Sequence, residues 1–459
     1  MESTSQPQVL KSSRKVALPF LDSSFGSDLQ IVLILWPLWW VLGIDQFVPF
    51  VFLLWEAFRY LFLSGGQFRL GATARWAILL AIWWVVPIMW VERAYLDIFL
   101  KEVASIVSQV LILILFSTTV RSRQDWYKIS RGLSFFAIYF VTSGLLYVTG
   151  IWHKQTTSLI GLVLPETLIQ TSEFFSSISI RNLGMTVPSL EKFILTHRAS
   201  GLALQAGGLS MICLLLIPLI YWHFYRSMRI ARIGWMVLLV GLLLTLVQTE
   251  SRIAYLAFAI GLATMVILRS GLLYRSNRVF FFCLLVLSVT LLIGVGYLYL
   301  AEIIGFFNSI FVEARAGSFS ARIIIYQETI RLLGQHWIAG WGQAVRIPGL
   351  RTVFSAGTHN SYLGMLFQHG IVGLILYLGV WLSIWIVIIK GLRQRKTSSE
   401  YRMFWIISAA AIISFNIREA AGNWWWDQSI TMTLWSFWGL IITAPRVLSN
   451  PSCHLGRLM

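Results

Sequence analysis

Charged residues are scarce in this chain. Only 12% of its 459 residues are Asp, Glu, Lys or Arg, whereas 57% are hydrophobic and the mean hydropathy is +0.74. A water-facing globule could not hide so much apolar sequence, so the composition excludes an ordinary soluble domain. It predicts an all-α polytopic membrane protein.

Cysteine and the common cofactor motifs are also lacking. Two of the three cysteines, Cys213 and Cys283, fall in apolar runs, and Cys453 lies in the C-terminal tail, so no disulfide is expected in the long polar segments. Those segments contain no Asp-x-Asp, no His-x-x-x-His and no cysteine cluster, and no Walker-type glycine-rich loop occurs. We therefore expect no metal, no nucleotide and no other cofactor.

Long apolar runs are what the sequence does contain. Crossing a hydrocarbon core of about 30 Å takes about 20 apolar residues, and on this measure the sequence predicts about 12 transmembrane helices. Asp45 and Gln46 mark a turn between the first two, because one helix over 31–63 would measure about 50 Å. The predicted spans are 31–44, 47–63, 74–91, 99–120, 132–152, 203–222, 232–248, 251–268, 279–299, 370–390, 403–417 and 427–443.

The distribution of the 36 Lys and Arg residues predicts the orientation. Most of them fall on the side of the N-terminus, which the positive-inside rule assigns to the cytoplasm, so both termini are expected there. No cleavable signal precedes the first span, which is expected to act as its own insertion signal. The net charge of +17 is expected to meet the anionic lipid bilayer, with no role for nucleic acid.

This topology divides the chain into five parts. Two loops are expected to be long and exported, with short surface helices, and function is expected to face outward because long loops seldom persist without a task. The parts are a cytoplasmic tail 1–30, helices one to nine over 31–299 including the exported loop 153–202, the large exported loop 300–369, helices ten to twelve over 370–443, and a cytoplasmic tail 444–459.

The second loop has local structure of its own. Over 320–333, isoleucines and polar residues alternate with helical spacing, which predicts an amphipathic helix on the membrane surface or against the bundle. The Gly-Trp-Gly at 340–342 predicts a tight turn. A new helix is expected after the polar run 355–361, with Thr358 or Asn360 as its N-cap.

Three arginines and a histidine are predicted at the exported edge. Arg198, Arg252 and Arg322 are costly to hold there without an anion, and guanidinium groups match phosphate oxygens bidentately, as in a lipid pyrophosphate. His359, near a helix N-terminus and close to cations, is expected to stay neutral near pH 7 and to accept a proton. The structural alternatives are interfacial anchors or pairing with an acid such as Glu250 for the arginines, and a capping role for the histidine.

Three further residues are candidates for sugar contacts: Asn360, Tyr362 and Trp341. A tryptophan ring stacks on a sugar face, although tryptophans at a membrane interface more commonly serve as belts. The charged residues within 418–427 are expected to pair with one another.

Several segments resemble the O-antigen ligase and O-antigen polymerase superfamily of bacterial inner-membrane glycosyltransferases. Residues 358–363, Thr-His-Asn-Ser-Tyr-Leu, followed by 368–374, Gln-His-Gly-Ile-Val-Gly-Leu, are similar to the family's His-Asn-x-x-Leu segment and its trailing glycines. The Ser-Arg pair at 251–252, the segment 320–341 and the Arg-x-x-Gly at 198–201 are similar to other family signatures. The resemblance covers roughly 195–390.

The resemblance implies transfer of a glycan from an undecaprenyl-pyrophosphate carrier to a hydroxyl acceptor, on the periplasmic side of the bacterial inner membrane and without metal. It assigns the base to His359 and pyrophosphate binding to Arg252, Arg322 and Arg198. The acceptor would be a second lipid-linked glycan or lipid A-core. A chain-length regulator is a further candidate partner. A single displacement would invert the anomeric centre.

Two other functions remain open at this point. Twelve spans with both termini inside also describe a lipid-linked oligosaccharide flippase or another transporter, but transport sites favour charged or broken helices near the midplane. A protein O-oligosaccharyltransferase shares the same donor site. Polymerase is favoured over ligase because no separate acceptor-binding domain is visible.

Overall fold

The structure is a computed structural model that describes residues 24–63, 65–152, 155–188, 195–203, 205–270, 316–347, 355–394, 398–422 and 427–448. Helices dominate it. The helices, numbered in chain order over these residues, are α1 (Phe25–Ile34), α2 (Trp36–Leu42), α3 (Val48–Phe58), α4 (Ala72–Val85), α5 (Leu96–Thr119), α6 (Arg123–Val148), α7 (Leu159–Val163), α8 (Glu166–Thr171), α9 (Glu173–Ser179), α10 (Ala206–Arg226), α11 (Arg229–Gln248), α12 (Arg252–Arg269), α13 (Ala316–Leu333), α14 (Ser361–Arg393), α15 (Ser399–Glu419) and α16 (Gln428–Val447).

Seven helical segments of the described chain are long and apolar enough to cross a membrane, and an eighth joins α1 and α2 across a bend of 53°. The bend falls where Pro37 removes a backbone donor. The chain is therefore a polytopic membrane protein. The predicted span 279–299 lies outside the described residues, and the seven segments are Ala72–Met89, Leu96–Thr119, Arg123–Val148, Ala206–Arg226, Arg229–Gln248, Arg252–Arg269 and Ser361–Arg393.

Helices α15 and α16 occupy the interior of the bundle. Both are buried along most of their length, and they carry Ser, Thr and Ala at positions where lipid-facing helices carry Leu and Ile. Small residues let neighbouring backbones approach. In α12, the absent side chain of Gly261 leaves room for Ser414 and the carbonyl of Ala410 in α15.

Side-chain contacts fix which helix ends lie together. At one end of the bundle, Ser361 at the start of α14 donates to the carbonyl of Gly422, which follows α15, at 2.8 Å. At the same end, Arg418 of α15 donates to Ser210 near the start of α10 at 3.0 Å. We call this the His359 end.

Other helix ends lie together at the opposite end of the bundle. Arg226 at the end of α10 lies 3.5 Å from Glu400 at the start of α15, and Arg269 at the end of α12 donates to Tyr221 at 2.8 Å. Because Arg269 lies at the opposite end, the other end of α12, which begins at Arg252, lies at the His359 end.

In the residues that the structure describes, three short antiparallel strand pairs lie outside the helices. Strands β1 (Thr156–Thr157) and β2 (Ile180–Arg181) pair, β3 (Gly184–Pro188) pairs with β4 (Leu195–Ala199), and β5 (Val345–Arg346) pairs with β6 (Ser355–Ala356). A buried ion pair between Arg181 of β2 and Asp45 ties the first loop to the turn after α2. The predicted turn at Asp45 is thus confirmed, and its acid has a structural partner.

Candidate functional site

The turn that carries His359 is held from two sides. On one side, Gly357 donates its backbone N–H to the hydroxyl of the buried Thr329 at 2.9 Å, and the Tyr326 hydroxyl donates to the carbonyl of His359 at 3.1 Å. On the other side, the Gln368 amide donates to the carbonyl of Gly357 at 3.2 Å. Helices α13 and α14 therefore fix the position of this turn together.

His359 itself adopts a left-handed backbone conformation, with φ of 63°. Asn, Asp and His enter this region more readily than other side chains, but it still costs energy that the surrounding hydrogen bonds must offset. Asn360 then caps α14, because its side-chain oxygen accepts from the N–H of Leu363 at 3.0 Å. The N-cap predicted at Asn360 is confirmed, and this use of its oxygen is structural.

Helix α13 presents three residues on one face toward this turn. Arg322, Tyr326 and Thr329 are spaced by four and three residues, which places them on one side of a helix. The isoleucines of the predicted apolar stripe, Ile323 and Ile324 among them, are exposed instead. The predicted helix over 320–333 is confirmed. The face of this helix that packs inward carries the polar residues that hold the His359 turn.

Arg322 is partly buried and lies close enough to Tyr326 for its charge to act on the phenol. Burial raises the pKa of Tyr326 above its ordinary value of 10, and the Arg322 charge opposes that rise. Within the described part of the chain, no acid forms an ion pair with Arg322. A guanidinium held in this way is suited to an anionic ligand.

Arg252 is the first residue of α12 and is also partly buried. Glu250, two residues earlier, has φ of 48°. Among the described residues other than glycine, Glu250 and His359 have positive φ. Glu250 lies two residues before Arg252, and His359 is itself a predicted functional residue. Strained backbone of this kind clusters at functional sites.

The N-termini of α12 and α14 both lie at this end of the bundle, as do those of α10 and α16. Aligned peptide dipoles make a helix N-terminus favourable to negative charge, and the effect adds to that of a nearby arginine. The His359 end therefore combines cations, helix N-termini and a histidine.

The backbone of Arg198 lies in β4, opposite Met185 of β3. Strand β4 contacts α6, α10 and α11, and the last of these runs into the turn before Arg252. The structure describes the backbone of Arg198 only, so its role stays a prediction.

A break in α14 follows the histidine turn. Gly370 has φ of 67° and ψ of −173°, a conformation essentially reserved for glycine. The break frees carbonyls, and the Gly-Trp-Gly loop uses them: Trp341 donates to Phe367 at 2.9 Å and Gly342 to Gln368 at 2.7 Å. Gly370, the trailing glycine of the motif, thus allows the Gly-Trp-Gly loop to pack on α14.

Gly340 makes that close approach feasible. A Cβ on Gly340 would lie 2.3 Å from the backbone of Gln368, and one on Gly370 would lie 2.0 Å from the carbonyl oxygen of Ile338. The predicted tight turn at 340–342 is confirmed, with left-handed φ at Gly340 and at Gly342.

The side chain of Trp341 packs against residues that neighbour this loop. Its indole N–H donates to the carbonyl of Leu332 at 3.2 Å, and its ring stacks on Phe367 with a centroid distance of 6.0 Å. His336 meets the same ring at 4.7 Å. A sugar contact for Trp341 remains a prediction beside this packing role.

Tyr362, the third candidate for a sugar contact, hydrogen-bonds to Glu419, which is fully buried at the end of α15. The Tyr377 hydroxyl also donates to this carboxylate. Arg418, beside it, donates to Ser210 and to the carbonyl of Ala421. Glu419 therefore contacts two tyrosines of α14, one before and one after the break at Gly370.

Sequence reasoning missed the anchoring residues. Tyr326 and Thr329 share a face with Arg322, and this spacing was available in the sequence as a signal. Gln368 and Glu419 could not be found in this way, because their partners are distant along the chain. In the part of the chain that the structure covers, no three His, Cys, Asp or Glu side chains are grouped so as to hold a metal ion.

The described chain is a polytopic membrane protein with His359, Arg252 and Arg322 at one end of its helix bundle. Residues 236–378 match the profile of the family described as O-Antigen ligase. This part of the chain is therefore an O-antigen ligase domain. The match includes Arg252, Arg322 and His359, and Arg198 lies outside it.

No curated protein matches the chain. The family match and the geometry of the His359 end therefore carry the functional argument.

Proposed function

We propose that this protein transfers a glycan from an undecaprenyl-pyrophosphate carrier to a hydroxyl acceptor at the periplasmic face of the bacterial inner membrane. The acceptor is a second lipid-linked glycan for a polymerase, the alternative we favour, or lipid A-core for a ligase. The reaction needs no metal and no nucleotide, because the pyrophosphate ester supplies the energy.

The observation that carries the proposal is the shared face of α13. The residues that hold the His359 turn, Tyr326 and Thr329, lie on the same face as Arg322. The rise of a helix puts Arg322 about 6 Å along the axis from Tyr326. Helix α13 thereby holds the turn of the proposed proton acceptor and carries the proposed phosphate-binding group.

The chemistry follows from these roles. The neutral imidazole of His359 takes the proton of the acceptor hydroxyl as that oxygen attacks the anomeric carbon. The bond from this carbon to the phosphate oxygen breaks, and undecaprenyl pyrophosphate leaves with its electron pair. Arg322 and Arg252 stabilise the charge that develops on the leaving group, with Arg198 as a third candidate. One displacement inverts the anomeric configuration.

The test is complementation of a deletion strain with variants of His359. Asn tolerates the left-handed backbone, so His359→Asn removes the imidazole while keeping the turn, whereas His359→Ala adds backbone strain. Both variants are expected to lose polymer at unchanged protein level. Wild-type polymer length and yield with His359→Asn would contradict the proposal.

The glycans of the deletion strain distinguish the alternatives. Single repeat units at the surface indicate a lost polymerase, and long carrier-linked chains that never reach lipid A indicate a lost ligase. Repeat units trapped on the cytoplasmic face would indicate a flippase and would overturn the transferase assignment.

A further inference from the structure

A groove lies at the opposite end of the bundle from His359, between the start of α4 and the ends of α5, α14 and α16. Its volume is about 500 Å³. Lys390 lines it, and the part of α14 from the break at Gly370 to this residue is about 30 Å long, so the groove lies far from the histidine turn. The transfer reaction proposed above does not use this region.

Three cations line the groove: Arg69, Lys390 and Arg446. No Asp or Glu is among the lining residues, and within the described ranges no acid forms an ion pair with any of the three. Arg446 also feels the like charges of Arg69 and Arg121. Positive charge is therefore concentrated here without a protein counter-charge.

Arg446 is already engaged, and the other two cations are not. Its guanidinium donates to the carbonyls of Phe116, Ser117 and Val120 at 2.6 to 2.7 Å, which caps the end of α5. Arg69 and Lys390 are exposed, and their side chains form no hydrogen bond within the described structure. These two side chains are available to a ligand.

The wall of the groove is apolar and faces outward. Trp76, Leu382 and Ile386 are 38%, 61% and 43% exposed. Trp76 lies directly on α14 at Gly379, where a Cβ would meet its ring at 2.6 Å. Apolar surface that is exposed on a membrane helix is covered by lipid chains.

We propose that this groove binds one anionic phospholipid, with its phosphate on Arg69 and Lys390 and an acyl chain along Trp76, Leu382 and Ile386. Charge complementarity selects the head group, because the cations lack acidic partners. The apolar wall selects a lipid over a free phosphate, which would gain nothing from it.

The test is native mass spectrometry of the full-length protein in detergent, titrated with palmitoyl-oleoyl phosphatidylglycerol. Phosphatidylcholine with the same chains, and soluble glycerol 3-phosphate as a competitor, separate the contributions of charge and chain. One phosphatidylglycerol is expected to bind, with phosphatidylcholine at least about tenfold weaker. Glycerol 3-phosphate should not displace it.

Matched variants locate the site. The double variant Arg69→Gln with Lys390→Gln should weaken phosphatidylglycerol binding about tenfold or more. The control, Arg229→Gln with Arg232→Gln, removes two exposed cations that lie outside the groove and should stay within about twofold of wild type. Leu382→Asn should weaken both lipids.

Several outcomes would overturn the proposal. Equal binding of the two lipids would remove the role of charge, and equal losses in the groove and control variants would remove the role of this groove. Displacement by glycerol 3-phosphate would assign the cations to a soluble phosphate ligand.

Discussion

The two ends of the helix bundle use charge differently. At the opposite end, Arg123 and Arg226 share the carboxylate of Glu400, and Arg59 pairs with Asp28 and Glu56. At the His359 end, Arg322 is partly buried and forms no ion pair with a described acid, and two described non-glycine residues, Glu250 and His359, have left-handed backbone. The comparison teaches that a paired cation holds helices together, whereas an unpaired one beside strained backbone is available to a ligand.

The groove at the opposite end fits the same rule. Its cations lack acidic partners, and for that reason we assign them a ligand. What separates the groove from the His359 end is the absence of a proton acceptor among its lining residues.

The largest expected effect comes from the helix break that docks the Gly-Trp-Gly loop on α14. Gly370→Ala should destabilise the folded protein by about 3 kcal/mol or more and abolish transfer, because its backbone conformation and the nearby Ile338 carbonyl both exclude a Cβ. The measurement is thermal unfolding of the purified protein, with an assay of glycan transfer.

Gly234→Ala is the control for this change. A Cβ on Gly234 in α11 meets nothing within 4 Å, so alanine should be neutral or slightly stabilising there. Equal tolerance at both positions would show that the break in α14 is not required.

A smaller effect is expected where a tyrosine ties α14 to α15. Tyr362→Phe removes a hydrogen bond to the buried Glu419 and should cost about 1 to 2 kcal/mol, with a severalfold loss of transfer because the histidine turn loosens. Thermal unfolding and initial transfer rates check this.

The opposite end provides the matched substitution. Tyr60→Phe removes an exposed hydroxyl that donates to the carbonyl of Gln67 at 3.2 Å and should cost less than about 0.5 kcal/mol. A larger loss from Tyr60→Phe than from Tyr362→Phe would reverse the comparison between the ends.

The smallest effect concerns pH and Tyr326. Its neutral phenol donates to His359, and burial raises its pKa above 10. Stability from this group is therefore fully present below about pH 10 and is lost as pH rises through the folded pKa. Wild type should exceed Tyr326→Phe by about 1 kcal/mol at pH 8, with the difference shrinking above pH 10. A difference that grows with pH would contradict the assignment.

Much of the fold follows from apolar run length alone. The spans predicted at 232–248 and 251–268 correspond to α11 and α12 within about three residues. The first pair differs at its start, since α1 begins at Phe25, where polar residues join the helix. The second span ends as predicted, because a π-helix over Arg59–Leu63 continues α3 to residue 63. The sequence also predicts spans at 403–417 and 427–443, where the structure has helices α15 and α16. Neither is among the segments of the described chain that are long and apolar enough to cross a membrane.

Some residues of the candidate site carry a local sequence signal, and others do not. His359, Asn360 and the helix over 320–333 carry local signals, namely cap residues and helical spacing. The anchors at Gln368 and Glu419 carry none. Gln368 reaches back over 11 residues to the carbonyl of Gly357, and Glu419 meets tyrosines of another helix. The break at Gly370 was invisible for the same reason: an apolar run looks continuous across it.

The most direct test of the account compares donor binding with transfer in the purified protein, using an undecaprenyl-pyrophosphate-linked glycan. His359→Asn should bind this donor within about threefold of wild type and transfer the glycan at least about 100-fold more slowly. Arg322→Gln should bind it about 10- to 100-fold more weakly. Arg331→Gln, on the same helix but exposed and paired with Glu328 at 2.7 Å, should behave as wild type. Wild-type transfer by His359→Asn, or equal binding by the two arginine variants, would contradict the central claim.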